Sequence, residues 1–294
     1  MKIDEFITLM TFGLTNQIDV SVVIPVENIR MGVISNATIV NNGNSAIHSF
    51  RFRTGCGMNT ISGPVPCLND SFSGFRSASG IGDLTLRVKG TIWKSERAGF
   101  AVGVDVRAPT GDALNFIGAG ATGLKPFMVW SYRSRFSPHA VVGYETNGSS
   151  LIAGDVTVGS RDRLPSQLTY SGGVDIWATA WFTAAFDVVG QQVFQARRSS
   201  LTSFQDLGAC MEVYPGCTTI RPPNIDANLA QSTGAFNSTN FSVGAKIRPL
   251  GIGKRSADFR GLSNLLVTGN VLLKMNDGGL RAKAIPLIEV SYTF

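Results

Sequence analysis

The sequence predicts an all-β protein that crosses a membrane as an antiparallel, up-and-down β-barrel of about 12 strands, eleven of them visible in this chain. Three observations predict it. Short runs alternate apolar and polar residues at period two. The connections between those runs alternate between short and long. No stretch reaches the ~18 consecutive apolar residues of a membrane-spanning helix, while the chain ends on a strand with Ile288, Val290, Tyr292 and Phe294 at every second position.

Taken in order, residues 5–12 are apolar on both faces, through Phe6, Ile7, Leu9, Met10 and Phe12. Residues 18–33 alternate Ile18, Val20, Val22 and Ile24 with Asp19 and Ser21. In 81–93, Leu84, Leu86, Val88 and Ile92 interleave with Asp83, Thr85, Arg87, Lys89 and Thr91. Residues 100–108 set Phe100, Val102, Val104 and Val106 against Ala101, Gly103, Asp105 and Arg107, and the turn 94–99 joins the two runs as a hairpin. Met128, Trp130, Tyr132 and Phe136 oppose Ser131, Arg133 and Arg135 in 124–136, with a turn at 137–138 leading into 139–147. Tyr170, Val174 and Ile176 oppose Thr169, Ser171 and Asp175 in 167–178, and Phe182, Ala184, Phe186 and Val188 oppose Thr183 and Asp187 in 181–194. The last three runs, 239–248, 263–275 and 280–294, carry Lys246, Lys274 and Glu289 on their polar faces.

Short connections fall at 13–17, 94–99, 137–138 and 179–180, and long ones at 34–80, 109–123, 148–166 and 195–238. In outer-membrane barrels the short turns are periplasmic and the long loops external. The connections 249–262 and 276–279 fit that rule less well. Trp93, Phe100, Tyr132, Phe136, Trp181 and Phe182 gather beside the short turns, as an interfacial aromatic girdle does. A soluble sandwich also alternates, but it gives no reason for that alignment. The glycines Gly103, Gly143, Gly173, Gly244 and Gly269 read as poor core packers that suit a wide, water-filled interior.

On this reading Asp19, Asp83, Arg87, Lys89, Asp105, Arg107, Arg133, Arg135, Asp175, Asp187, Lys246, Lys274 and Glu289 line the lumen. Asp105 lies opposite or diagonal to Arg87 or Lys89 in either plausible register. Arg133, Arg135, Lys246 and Lys274 have fewer obvious partners and leave a mild cationic excess, from which a weak anion preference follows, suiting aromatic or other organic acids. With the C-terminus in the periplasm, eleven strands put the first one on an outside-to-inside path, and single-chain bacterial barrels are even-numbered. Residues 1–294 are therefore expected to be one barrel domain lacking a first strand and a signal segment, since Met1–Glu5 has no basic region followed by an apolar core.

Two resemblances follow from particular residues. The terminal run Ile288-Glu289-Val290-Ser291-Tyr292-Thr293-Phe294 resembles the C-terminal strand by which the barrel assembly machinery of Gram-negative bacteria recognises its clients. Ile81-Gly82-Asp83-Leu84, Arg107-Ala108-Pro109-Thr110-Gly111-Asp112, the opening Thr11–Val20 with Ile24-Pro25, and the closing Asn276–Arg281 with Tyr292-Thr293-Phe294 resemble the outer-membrane family named for the MetA pathway of phenol degradation. That resemblance implies a single barrel of about a dozen strands associated with transport of organic compounds. It implies no particular binding residue.

Other chemistries fare poorly. The formal charge is +6, but the basic residues are scattered, so no nucleic-acid partner is expected. Cys56 with Cys67 and Cys210 with Cys217 lack metal or redox spacing and read as loop disulfides, pairing between the two loops being the alternative. Gly118-Ala119-Gly120-Ala121-Thr122-Gly123 matches a dinucleotide-binding fingerprint, yet Pro126 and a strand pattern follow where a helix is required. Of the two histidines, His48 lies in a long loop and His139 beside a short turn, neither sharing a strand face with an obvious serine nucleophile. A carboxylate-only mechanism among Asp83, Asp105, Asp175, Asp187 and Glu289 competes with a solvated, charge-balanced lumen, the simpler account. The expectation is a porin- or transporter-type barrel without cofactor, metal or covalent chemistry, whose partners are outer-membrane lipid, the assembly machinery and small organic solutes. The competing expectation is a non-conducting barrel acting through its external loops.

Overall fold

The computed structural model describes residues 1–38, 41–42, 46–47, 58–59, 63–64, 69–155, 158–205, 225–248, 264–279 and 281–293. Eleven strands follow one another: β1 (Lys2–Gly13), β2 (Ile18–Thr38), β3 (Thr85–Lys94), β4 (Ala98–Arg107), β5 (Gly123–Tyr132) and β6 (Phe136–Asn147). They continue as β7 (Gln167–Trp177), β8 (Phe182–Gln205), β9 (Ile225–Ile247), β10 (Leu265–Lys274) and β11 (Ala284–Tyr292). Each hydrogen-bonds to its neighbours in this sequence, with Asn69–Ile81 pairing β2 off the path. β1 and β11 stand at the two ends of that order.

Backbone contacts divide the chain into two compact units. The larger comprises Phe6–Val26, Gly80–Ala196 and Gly234–Phe294 and holds the alternating strand segments. The smaller comprises Met1–Glu5, Glu27–Ser79 and Arg197–Thr233. Within it Arg30 donates to Asp4 at 2.8 Å, Ser79 donates to Asn28 at 3.2 Å, and Ile29 is buried.

Register fixes which side chains share a face. Arg87 pairs with Asp105 and Asp105 with Lys125, while His139 pairs with Gly173 and Gly173 with Asp187. This polar face is the buried one: Asp105 is 4% exposed and Asp83 7%. The apolar face is the exposed one, with Leu86 at 47%, Met128 at 51% and Val142 at 39%. A water-soluble fold buries its apolar face, so these two faces are inverted. A hydrocarbon surrounding that receives the apolar belt, with the charged side chains turned inward, satisfies both. The fold is that of a transmembrane antiparallel up-and-down β-barrel, and all eleven strands expected from alternation are present.

The boundaries differ where hydropathy is silent. β8 and β9 run 24 and 23 residues, far past the expected 181–194 and 239–248. Their extensions are polar, and ladder hydrogen bonds do not require apolar side chains, so alternation of hydropathy ends before the strands do. A hairpin of Ser149–Asp155 with Ser160–Arg163 likewise occupies a stretch read as loop.

The turn between β5 and β6 also moves, from 137–138 to 133–135. Two serines build it: Ser137 Oγ donates to the Ser134 carbonyl at 2.6 Å and accepts from the Ser134 amide at 3.1 Å. Arg133 and Arg135 consequently sit exposed in this turn and not on the lumen face assigned to them. Side-chain hydrogen bonds, invisible to a hydropathy pattern, end the strand there.

Candidate functional site

The inner wall of the larger unit is built from ion pairs that step from strand to strand. On β3, Arg87 donates to Asp105 of β4 through Nε at 2.7 Å and Nη2 at 2.9 Å, and Lys125 of β5 approaches the same carboxylate at 3.1 Å. Arg107 lies 2.8 Å from Glu145 and 3.7 Å from Asp83, and donates to Asn147 at 2.5 Å. Lys89 reaches Asp19 at 3.2 Å, and Lys246 reaches Asp175 at 2.5 Å. Gln167 extends the row by donating to Glu145 at 2.8 Å. Antiparallel register places Asp19 opposite Lys89, Asp105 opposite Arg87 and Lys125, and Glu145 opposite Gln167, whereas Arg107–Glu145 and Lys246–Asp175 each reach across an intervening strand.

Inward glycines are covered, which corrects their reading as open space. Phe127 lies between Gly103 and Gly143, its partners on β4 and β6. A Cβ on Gly103 would collide with the Phe127 ring and stand 2.7 Å from the Val88 carbonyl oxygen. The Arg87 guanidinium carbon sits 4.9 Å from that ring's centroid, a cation–π contact. Gly173 lets His139 on β6 reach Asp187 on β8, at 2.7 Å from Nε2, and Gly244 makes room for the Asn270 amide. Gly269, on the outer face of β10 opposite the exposed Ile288, has nothing within 4 Å of its Cβ position.

The connection 108–122 is pinned to the wall by Asp83, whose carboxylate accepts from the Gly111 amide at 3.0 Å and the Ala119 amide at 2.7 Å. Thr110 Oγ1 donates to the Gly82 carbonyl and accepts from the Leu84 amide, both at 2.9 Å. Asp112 caps the single turn Ala113–Asn115, and Ile117 and Ala121 are buried. Gly118 and Gly120 adopt φ of 97° and 65°, and a Cβ at Gly118 would collide with the Asp83 carboxylate. The glycine cluster thus shapes a loop around a carboxylate. The Gly82-Asp83-Leu84 and Thr110-Gly111-Asp112 motifs meet in this one joint.

Most of the expected lumen residues are brought together: Asp83, Arg87, Asp105 and Arg107 on adjoining strands, then Asp19 with Lys89, Asp175 with Lys246, and Asp187 with His139. Lys274 instead pairs at 2.5 Å with Asp277 in the following connection, holding the Asp277 carboxyl below the usual range through its hydrogen bond and charge. Glu289 is exposed on the edge strand β11, opposite Thr268. Lys125, Glu145, Asn147 and Phe127 are wall residues that the pattern missed. Pro126 and Pro138 interrupt the apolar alternation around them, although counting parity outward from Ser131 or Gly143 would have found them.

His139 does face a serine, contrary to the sequence reading: Ser131 is its register partner on β5. Its Nε2, however, is bonded to Asp187 on the opposite side, and no Ser131–His139 hydrogen bond forms among the described residues. Ile288, Val290 and Tyr292 all lie on the exposed face of β11. Phe294, His48, Cys56, Cys67, Cys210 and Cys217 fall outside the described residues.

Residues 15–198 match the family described as "Putative MetA-pathway of phenol degradation", and the chain belongs to that family. No curated protein matches it. Among solved structures it is similar to an outer membrane channel from Pseudomonas putida F1, at 12% identity and a TM-score of 0.50, over 98% of this chain and 79% of that one. A FadL homologue from Pseudomonas aeruginosa aligns at 12% identity and a TM-score of 0.41, over 93% of this chain and 60% of that one. The likeness to the Pseudomonas putida channel is one of fold.

Proposed function

We propose that the protein is a porin- or transporter-type channel of a bacterial outer membrane, a conduit for small organic solutes and not a catalyst. One observation carries this reading: the exposed apolar face and the buried, internally paired charged face are the two sides of one sheet. Such a wall suits passage of polar or amphipathic molecules through water while the other side meets lipid. The family's description and the channel of similar fold support the same reading.

The solute class shifts with the geometry. Preference for organic acids rests on Arg133, Arg135, Lys246 and Lys274; the first two lie in a turn, and the lysines are paired with Asp175 and Asp277. Lys125 and Glu145 add one charge of each sign, so the wall as described carries no cationic excess and favours uncharged or dipolar solutes over ions. Purified protein in a planar bilayer is expected to conduct with a reversal potential near zero in a salt gradient, and to pass small neutral organic molecules in a liposome-swelling assay. Absence of conductance in every insertion would contradict a channel. It would favour a second reading, a non-conducting barrel acting through its loops, which the pinning of 108–122 to Asp83 supports.

The same proposal takes residues 1–294 as one barrel domain, its partners being outer-membrane lipid, the assembly machinery and the solutes. Cys56–Cys67 and Cys210–Cys217 remain the proposed disulfides, to be checked by non-reducing peptide mapping.

A further inference from the structure

Between the charged row of Arg87, Asp105 and Lys125 and the His139–Asp187 pair, the wall changes character. Ala101, Val129, Val141, Ser171 and Val189 are successive register partners on β4, β5, β6, β7 and β8. They share strand parity with Asp105, Phe127, His139 and Asp187, so their side chains face inward. All five are half-buried, and four of them, Ala101, Val129, Val141 and Val189, present methyl groups to the interior. A lumen that only passes water gives no reason for apolar residues there, and the apolar-out, polar-in rule breaks at one level on four strands.

The surroundings define what could rest on this row. Nearby charges are already committed, Arg87 and Lys125 to Asp105 and His139 to Asp187, which leaves no counter-charge for an ion. A polyhydroxylated molecule such as a sugar would set hydroxyls against valine methyls and leave them unsatisfied. Two polar groups are uncommitted: neither the Ser171 hydroxyl nor the Gln191 amide has a hydrogen-bond partner among the described residues. Ser171 sits within the row, between Val141 and Val189, and Gln191 is two residues on from Val189 along β8. Apolar surface with one or two placed polar groups is the composition of small-molecule sites.

We infer that this row is a binding subsite for a small uncharged organic molecule with an apolar body and a single hydroxyl or carbonyl. The body lies on Val129, Val141 and Val189, and the polar group bonds to Ser171 or Gln191. The inference rests on the channel reading and deepens it by naming the solute class.

The test uses the full chain folded in detergent micelles with isotopically labelled valine methyls, titrated with cyclohexanol and separately with myo-inositol. Cyclohexanol should shift the Val129, Val141 and Val189 methyl signals saturably, whereas myo-inositol should not. Val142, one residue along and outward-facing, reports simple partition into the micelle and should shift without saturating. The V129T/V141T/V189T variant keeps side-chain shape while replacing a methyl by a hydroxyl, and should weaken binding by about tenfold or more. Ser171→Ala should weaken it by roughly two- to tenfold. Saturation absent in the wild type, or affinity unchanged in the triple threonine variant, overturns the subsite. Conductance measured on the same preparation separates the two claims: conduction without saturable binding removes the subsite and leaves the channel, and saturable binding without conduction does the reverse.

Discussion

The wall formed by β3 to β8 and the edge strands β1 and β11 solve the same problem differently. In the wall, each strand has two neighbours, carboxylates face cations, and a glycine sits wherever a neighbour's large side chain crosses it. At the edges, apolar residues occupy both faces. Thr11 bonds Ser21 at 2.8 Å, placing Ile7 and Leu9 on the inner side of β1. Leu287 opposite Asn270 does the same on β11. On β3 to β8 an inner charge is neutralised by partners on other strands, whereas inner positions of β1 and β11 hold the apolar Ile7, Leu9 and Leu287. Glu289 on β11 is exposed.

Filling a covered glycine should break the wall, and filling an open one should not. Gly103→Val forces Phe127 off its seat beneath Arg87 and should destabilise the folded protein by about 2–3 kcal/mol. Gly269→Val, with nothing within 4 Å of its Cβ, should stay within about 0.5 kcal/mol. Urea titrations in lipid vesicles compare them, and equal losses would erase the distinction.

Unpairing a charge should be the next largest effect. Asp105→Asn strips both Arg87 and Lys125 of their carboxylate and should lose about 1–3 kcal/mol, discounted for the partial exposure of the two cations. Glu289→Gln should change stability by less than about 0.5 kcal/mol. A larger loss at Glu289 would show that the edge carries a polar network of its own.

The smallest effect belongs to the pair of half-buried Lys274 with the exposed Asp277. Its carboxyl is held below the usual range, so its contribution is present above the unfolded-state value and is lost as pH falls through the folded one. The unfolding midpoint of Asp277→Asn should differ slightly from wild type at about pH 7 and converge with it near pH 2. A gap that widens on acidification would assign the midpoint difference to another group.

Sequence alternation is enough to find eleven strands and the shared polar face of Arg87, Asp105, Asp175 and Asp187, because burial on one face of a strand leaves a period-two trace. It missed what does not depend on hydropathy. The serine-built turn at 133–135 displaced Arg133 and Arg135, and the polar extensions of β8 and β9 looked like loops. Phe127 over Gly103 and Gly143 was illegible for another reason: the three residues are far apart in sequence and are joined only by register. The Asp83 joint was visible as two motifs but not as one object, since a carboxylate binding backbone amides leaves no periodic pattern.

The central claim, that the apolar face meets lipid and the polar face does not, is tested most directly by placing arginine at two adjacent positions in the middle of β6. Val142 faces outward and Val141 inward. In lipid vesicles Val142→Arg should destabilise the folded protein by about 2–4 kcal/mol, as a cation near the bilayer midplane does, while Val141→Arg should change it by less than about 1 kcal/mol. The reverse order, or equal losses at both positions, would contradict the account.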